Sequence, residues 1–120
     1  MKALNVLSKL FEVRDQVHFL HLNTQSNAEH SALDIFYKGW LELVDTFVET
    51  YQGKYGRIEG LIRIEFATGI WVKEYLVQVM VFLNDDITAV VNPELDSDLD
   101  NIIADMKQLV NQTMFRLTLK

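Results

Sequence analysis

Four residues, His30, Asp34, Asp45 and Glu49, have side chains that bind transition metals, and they recur at spacings of four, eleven and four. On a helix turning roughly 100° per residue they point to about 0°, 40°, 60° and 100°, so all four share one stripe. Imidazole and carboxylate together suit iron, manganese or zinc, whereas magnesium and calcium favour oxygen alone. Taken singly, each residue also suits the solvated flank of an amphipathic helix. At a rise of about 1.5 Å per residue, Asp34 and Asp45 stand about 16 Å apart, too far to share one ion within the helix. Two copies of the helix packed antiparallel about a two-fold axis would bring the His30/Asp34 end of one against the Asp45/Glu49 end of the other. The midpoint falls between Gly39 and Trp40. A glycine there would permit close backbone approach, and is equally tolerable as a helical cost of about 1 kcal/mol. His21, one short loop upstream, could supply a further nitrogen.

Helices are the elements that must hold these residues, since only five glycines and one proline interrupt the chain. Helical spacing of apolar residues runs from Ala3 to Leu22, and the polar string Asn23 to Asn27 ends it. Ser26 with Glu29 has the form of a capping box opening a second helix, from about Asn27 to Gln52. Gly53, Gly56 and Gly60 then suggest turns. Leu61 to Phe66 alternates in a way that suits a short strand as well as a short helix, so residues 52–69 read as a connector. Helical periodicity resumes over about Ile70 to Val91, where Asn92-Pro93 stops it, and a last helix starts near Asp96 or Ser97 and carries apolar positions to Leu117. Trp40, Trp71, Met80, Met106 and Met114 are expected in core or interface packing, and His18 in packing or a surface hydrogen bond. The sum is an all-α four-helix bundle, one domain over 1–120, with a connector between helices two and three.

Composition narrows the function. The 120 residues are 49% apolar with a net charge of −6, which is too apolar for disorder. No uncharged run approaches the roughly 18 residues of a membrane span, and Met1 to Leu10 lacks the apolar core of a leader. A cytoplasmic protein with no membrane partner is expected. Without cysteine, thiolate zinc sites and cysteine nucleophiles are excluded. An acidic chain without a Lys/Arg cluster is not expected to bind DNA. Asp96-Ser97-Asp98-Leu99-Asp100 fails as a calcium loop, because Asn101 holds the glycine position and Lys107 the closing glutamate position. These aspartates suit helix capping and the helix dipole instead. No phosphate-binding loop and no Glu-x-x-His pair occurs.

Several segments resemble the Dps-type mini-ferritins. His18-Phe19-Leu20-His21-Leu22-Asn23 resembles the family's His-x-x-His-Trp-Asn, His30 to Asp34 its His-x-x-x-Asp, and Asp45 to Glu49 its Asp-x-x-x-Glu at the same interval. Val72 to Tyr75, Asp85 to Ile87 and Asp98 to Leu117 resemble its third and fourth helices. Leu22 stands where the family usually has Trp, and Thr50 where it commonly has Arg. The loop between His21 and His30 is shorter than in the family, so His21 is expected to matter less than His30. The resemblance implies a ferritin-like bundle and a homo-oligomer built from dimers, a hollow dodecamer in the family. It implies a ferroxidase site with His21, His30 and Asp34 from one subunit and Asp45 and Glu49 from its mate, where iron(II) is oxidised and then stored. Zinc and manganese are substitutes of suitable chemistry. Near Asp96 to Asp100 it implies an acidic iron-entry pore as the alternative to capping. The rival class is a ferritin-like scaffold or protein-binding module without productive iron chemistry.

Overall fold

The computed structural model describes residues 3–120, all helical or irregular. Met1 and Lys2, at the start of the 1–120 domain and of the segment read for a leader, lie outside the described residues. Helix α1 spans Ala3–Asn23, α2 Asn27–Tyr55, α3 Val72–Val81 and α4 Ser97–Arg116. No described helix is long and apolar enough to cross a membrane.

Neighbours at each end of the bundle establish the direction of every helix. The start of α1 (Ala3, Val6, Leu7) lies against the end of α2 (Phe47, Val48, Tyr51), so these two are antiparallel. Lys54 at the end of α2 meets Asp96 and Asp98 at the start of α4, so that pair is antiparallel as well. Glu29 near the start of α2 shares a surface hollow with Trp71 to Glu74 at the start of α3, which makes α2 and α3 parallel. Two antiparallel hairpins are therefore joined by a crossover, residues 56–71, that returns along the length of the bundle.

The core forms where the apolar stripes converge. Leu10, Val13 and Val17 of α1, Leu33, Phe36, Trp40 and Val44 of α2, Leu76 and Val79 of α3, and Leu99, Ile103 and Met106 of α4 are buried together. Burying such side chains contributes about 1.5–3 kcal/mol each before conformational entropy is set against it. Trp40 is 0% exposed, and its indole N–H donates to the Leu10 carbonyl at 3.0 Å, anchoring α2 to α1. Trp71, expected in packing, is 76% exposed and lies outside the core.

Four local expectations need correction. Gly53 does not turn the chain: α2 continues through it to Tyr55 and stops at Gly56, whose φ of 88° suits glycine. The capping box is half made. Ser26 Oγ accepts from the Glu29 N–H, while the Ser26 N–H donates to Thr24 Oγ1 instead of Glu29. The third helix is not one continuous α-helix from Ile70 to Val91. It becomes a π-helical turn at Phe82–Asp86 and a 3-10 turn at Ile87–Val90, where Thr88 Oγ1 donates to the Asp85 carbonyl and competes with the regular ladder. Finally, Asp96 does not cap α4 with its side chain. It is buried, and accepts from Tyr55 Oη at 2.6 Å, Lys54 Nζ at 2.8 Å and the Asn92 N–H at 2.8 Å. Those partners pull its pKa down to about 2, led by Lys54 and Tyr55.

The crossover is held by a few contacts. Gln16, buried in α1, donates to the Ala67 carbonyl and accepts from its N–H, both at 2.9 Å, as a neighbouring strand would. Phe66 packs against Phe19. Gly60 has a φ of 134°, a conformation that strains any residue with a side chain, and it lies against Leu4 of α1.

Candidate metal centre

The short loop after α1 turns the chain within three residues, Thr24 to Ser26, and α2 starts beside the end of α1. This places His21, in the last turn of α1, against His30, in the second turn of α2. Their rings stack with centroids 3.9 Å apart. The short loop leaves His21 beside His30 within the chain. His18 stacks on Tyr37 at 4.5 Å, as suits a surface packing role, so all three histidines of the chain gather at one end of the bundle.

His21 is 7% exposed, and neither ring nitrogen has a hydrogen-bond partner. Its Nε2 lies 3.5 Å from Asp34 Oδ1, too long and poorly aligned to count as a bond. Burial first, and then the neighbouring His30, push its pKa below the ordinary histidine value, so the ring is neutral at pH 7. A neutral imidazole keeps a lone pair for a cation. His30 Nδ1 lies 2.8 Å from the His21 carbonyl. A carbonyl only accepts, so Nδ1 carries the proton in this contact, and Nε2 is the ring nitrogen that it leaves unengaged. Asp34 completes the group, with Oδ2 held by Lys38 Nζ at 3.0 Å. That hydrogen bond is the main reason its carboxyl sits below the usual range. Sequence reading missed Lys38 and Tyr37; the four-residue interval from Asp34 to Lys38 was the available signal for the first.

Asp45 and Glu49 are not brought to this group. Both are exposed on the outer side of α2, further along the same helix, and neither has an ion pair among the described residues. Among the described residues no group of three or more His, Asp or Glu side chains is arranged to hold a metal ion. The stacked rings would have to splay for both free nitrogens to reach one cation. Within one chain the arrangement is thus two imidazoles and a carboxylate at a bundle end, with Asp45 about 16 Å and Glu49 about 22 Å from Asp34 along α2.

Gly39 does not face outward with this stripe. A Cβ on it would meet Leu109 Cδ2 of α4 at 3.1 Å, so within the chain Gly39 faces α4. In the run Asp96 to Asp100, Asp96 is buried while Asp98 and Asp100 are exposed at the start of α4.

Residues 21–117 match a family described as "Family of unknown function (DUF5856)", a stretch that begins at His21 and includes His30, Asp34, Asp45 and Glu49. No curated protein and no solved structure matches the chain. With most of its length matched, the chain belongs to the DUF5856 family.

Proposed function

We propose that this protein is a ferritin-like, Dps-related iron-binding protein that oxidises iron(II) at a site completed across a two-fold interface. His21, His30 and Asp34 of one subunit would bind the ion together with Asp45 and Glu49 of the other. The observation that carries the reading is the His21 ring, buried with both nitrogens unpartnered beside a second imidazole and a carboxylate. A buried polar group left without a partner costs about 1–3 kcal/mol, and a bound cation would remove that cost. Two hairpins joined by a lengthwise crossover also support a ferritin-like reading. Here iron is the substrate. With peroxide as oxidant, two iron(II) ions would each give up one electron, and the peroxide would take up two protons and leave as two waters.

The scaffold reading has its own support. Lys38 already neutralises Asp34, and His21 already stacks on His30, so the bundle end holds together without metal. Iron(II) oxidation by oxygen and by peroxide, followed optically alongside the metal content of the purified protein, separates the two. Rapid oxidation lost in Asp45→Ala/Glu49→Ala is the expected result. Equal rates in that variant and the wild type would favour the scaffold.

A further inference from the structure

The crossover carries a pattern that the iron reading does not use. From Arg57 to Glu65, odd-numbered residues are exposed, while Ile58, Ile62 and Ile64 are half-buried against the bundle, a period of two. Between the Ile58 N–H, which donates to Gln52, and Ala67, held by Gln16, no backbone group has a hydrogen-bond partner among the described residues. The segment is irregular and bent at Gly60, with a two-residue alternation of exposure and backbone groups left unpaired on either side of the bend. Its exposed face reads Arg57, Glu59, Leu61, Arg63, Glu65, and Leu61 at the centre is 74% exposed.

We propose that residues 57–65 pair with the same residues of a second copy of this chain as an antiparallel two-stranded ribbon centred on Leu61. In that register Leu61 opposes its own copy, Glu59 opposes Arg63 and Arg57 opposes Glu65, so every charge meets its opposite. Parallel in-register pairing would set Arg on Arg and Glu on Glu, and is disfavoured. On the inward face Gly60 opposes Ile62, and Ile58, whose N–H stays with Gln52, opposes Ile64 through its carbonyl alone. Ala67 turns its N–H and C=O toward α1, and edges alternate along a strand. Ile62 and Ile64 therefore turn theirs to the opposite, free edge, which makes the charged pairs and Leu61 the closely spaced, non-hydrogen-bonded positions. The bend at Gly60 can straighten because glycine tolerates both conformations. A different partner strand would need this same alternation of charge. The chain's own copy carries it by construction, which is why a second copy is the occupant.

The test uses the full chain, which has no cysteine of its own. Leu61→Cys, oxidised gently at micromolar concentration, should form a disulfide-linked dimer, whereas Leu95→Cys, equally exposed but off the crossover, should not. Sedimentation equilibrium then follows a charge series. Glu59→Arg or Arg63→Glu alone should weaken association about tenfold or more, because each reverses two symmetry-related pairs, and the combined swap should restore it to near the wild-type value. These side chains are exposed, so circular dichroism should be unchanged throughout. Association that is absent, or the same in all four proteins, would overturn the ribbon, as would Leu61→Cys cross-linking no faster than Leu95→Cys. The α2 stripe lies outside the substituted segment, so loss of iron oxidation in Asp45→Ala/Glu49→Ala leaves this outcome untouched.

Discussion

The imidazole of His21 lies face to face with that of His30 at 3.9 Å, and the His21 carbonyl accepts a hydrogen bond from His30 Nδ1, which orients that ring. One residue therefore contributes a ring to the site and a backbone oxygen that orients its neighbour. Replacing its side chain removes the first contribution and spares the second.

His21→Phe should accordingly keep the stack and the orientation of His30 while deleting two orphaned nitrogens. We expect the melting temperature of the metal-free protein to stay level or rise. The increase that zinc or iron(II) produces in the wild type, by binding the native state, should shrink. Thermal melts with and without zinc check this. An undiminished metal-dependent increase would remove His21 from the ligand set.

Asp45→Ala/Glu49→Ala should leave helical content intact, since both residues are exposed on α2. If these carboxylates face a partner across an interface, their loss relieves unfavourable charge there, and the apo assembly should melt no lower than the wild type. Scanning calorimetry at matched protein concentration measures it. A clear drop would mean that the two carboxylates serve the single chain.

Acid should loosen the other end of the bundle. The folded-state pKa of Asp96 lies at about 2, below its ordinary 3.8, so the carboxylate stabilises the native state at pH values above 3.8. That contribution is lost as pH falls through about 2. Asp96→Asn should lower the melting temperature at pH 7 by several degrees and flatten the dependence between pH 5 and about 2 relative to wild type. Parallel melting curves for the two proteins across that range would refute it.

At Gly39 the contact is with Leu109, a half-exposed side chain whose methyls can swing aside. Gly39→Ala should therefore gain helix propensity and stabilise by about 0.5–1 kcal/mol, without weakening assembly. Chemical denaturation and sedimentation read the two halves. A destabilised monomer would show that Leu109 cannot yield, and a weakened dimer would return Gly39 to an interface.

Much of the helical layout was legible because apolar residues recur at helical spacing over long uninterrupted runs, and the Ser26 cap marks the start of α2 correctly. The connector at residues 52–69 was legible only as a break in that spacing, because its route depends on Gln16 and Phe19, far away in sequence. The π-helical turn at Phe82–Asp86 was hidden for another reason. Its residues keep the apolar positions of an α-helix, and no glycine or proline marks the change of hydrogen-bond span. At the site, the stripe on α2 followed from geometry alone. The burial of His21, its stacking on His30 and the capture of Asp34 by Lys38 needed the packing of α1 on α2.

The paired hydrogen bonds between Gln16 and Ala67 close a loop of 51 residues with a single amide. Chain-closure entropy grows with loop length, so this link has little chance of forming before α1 and α2 have zipped together through nearby contacts. The crossover should then settle late. Gln16→Leu should consequently speed unfolding while leaving the refolding rate nearly unchanged, the kinetic signature of a latch that engages after the barrier.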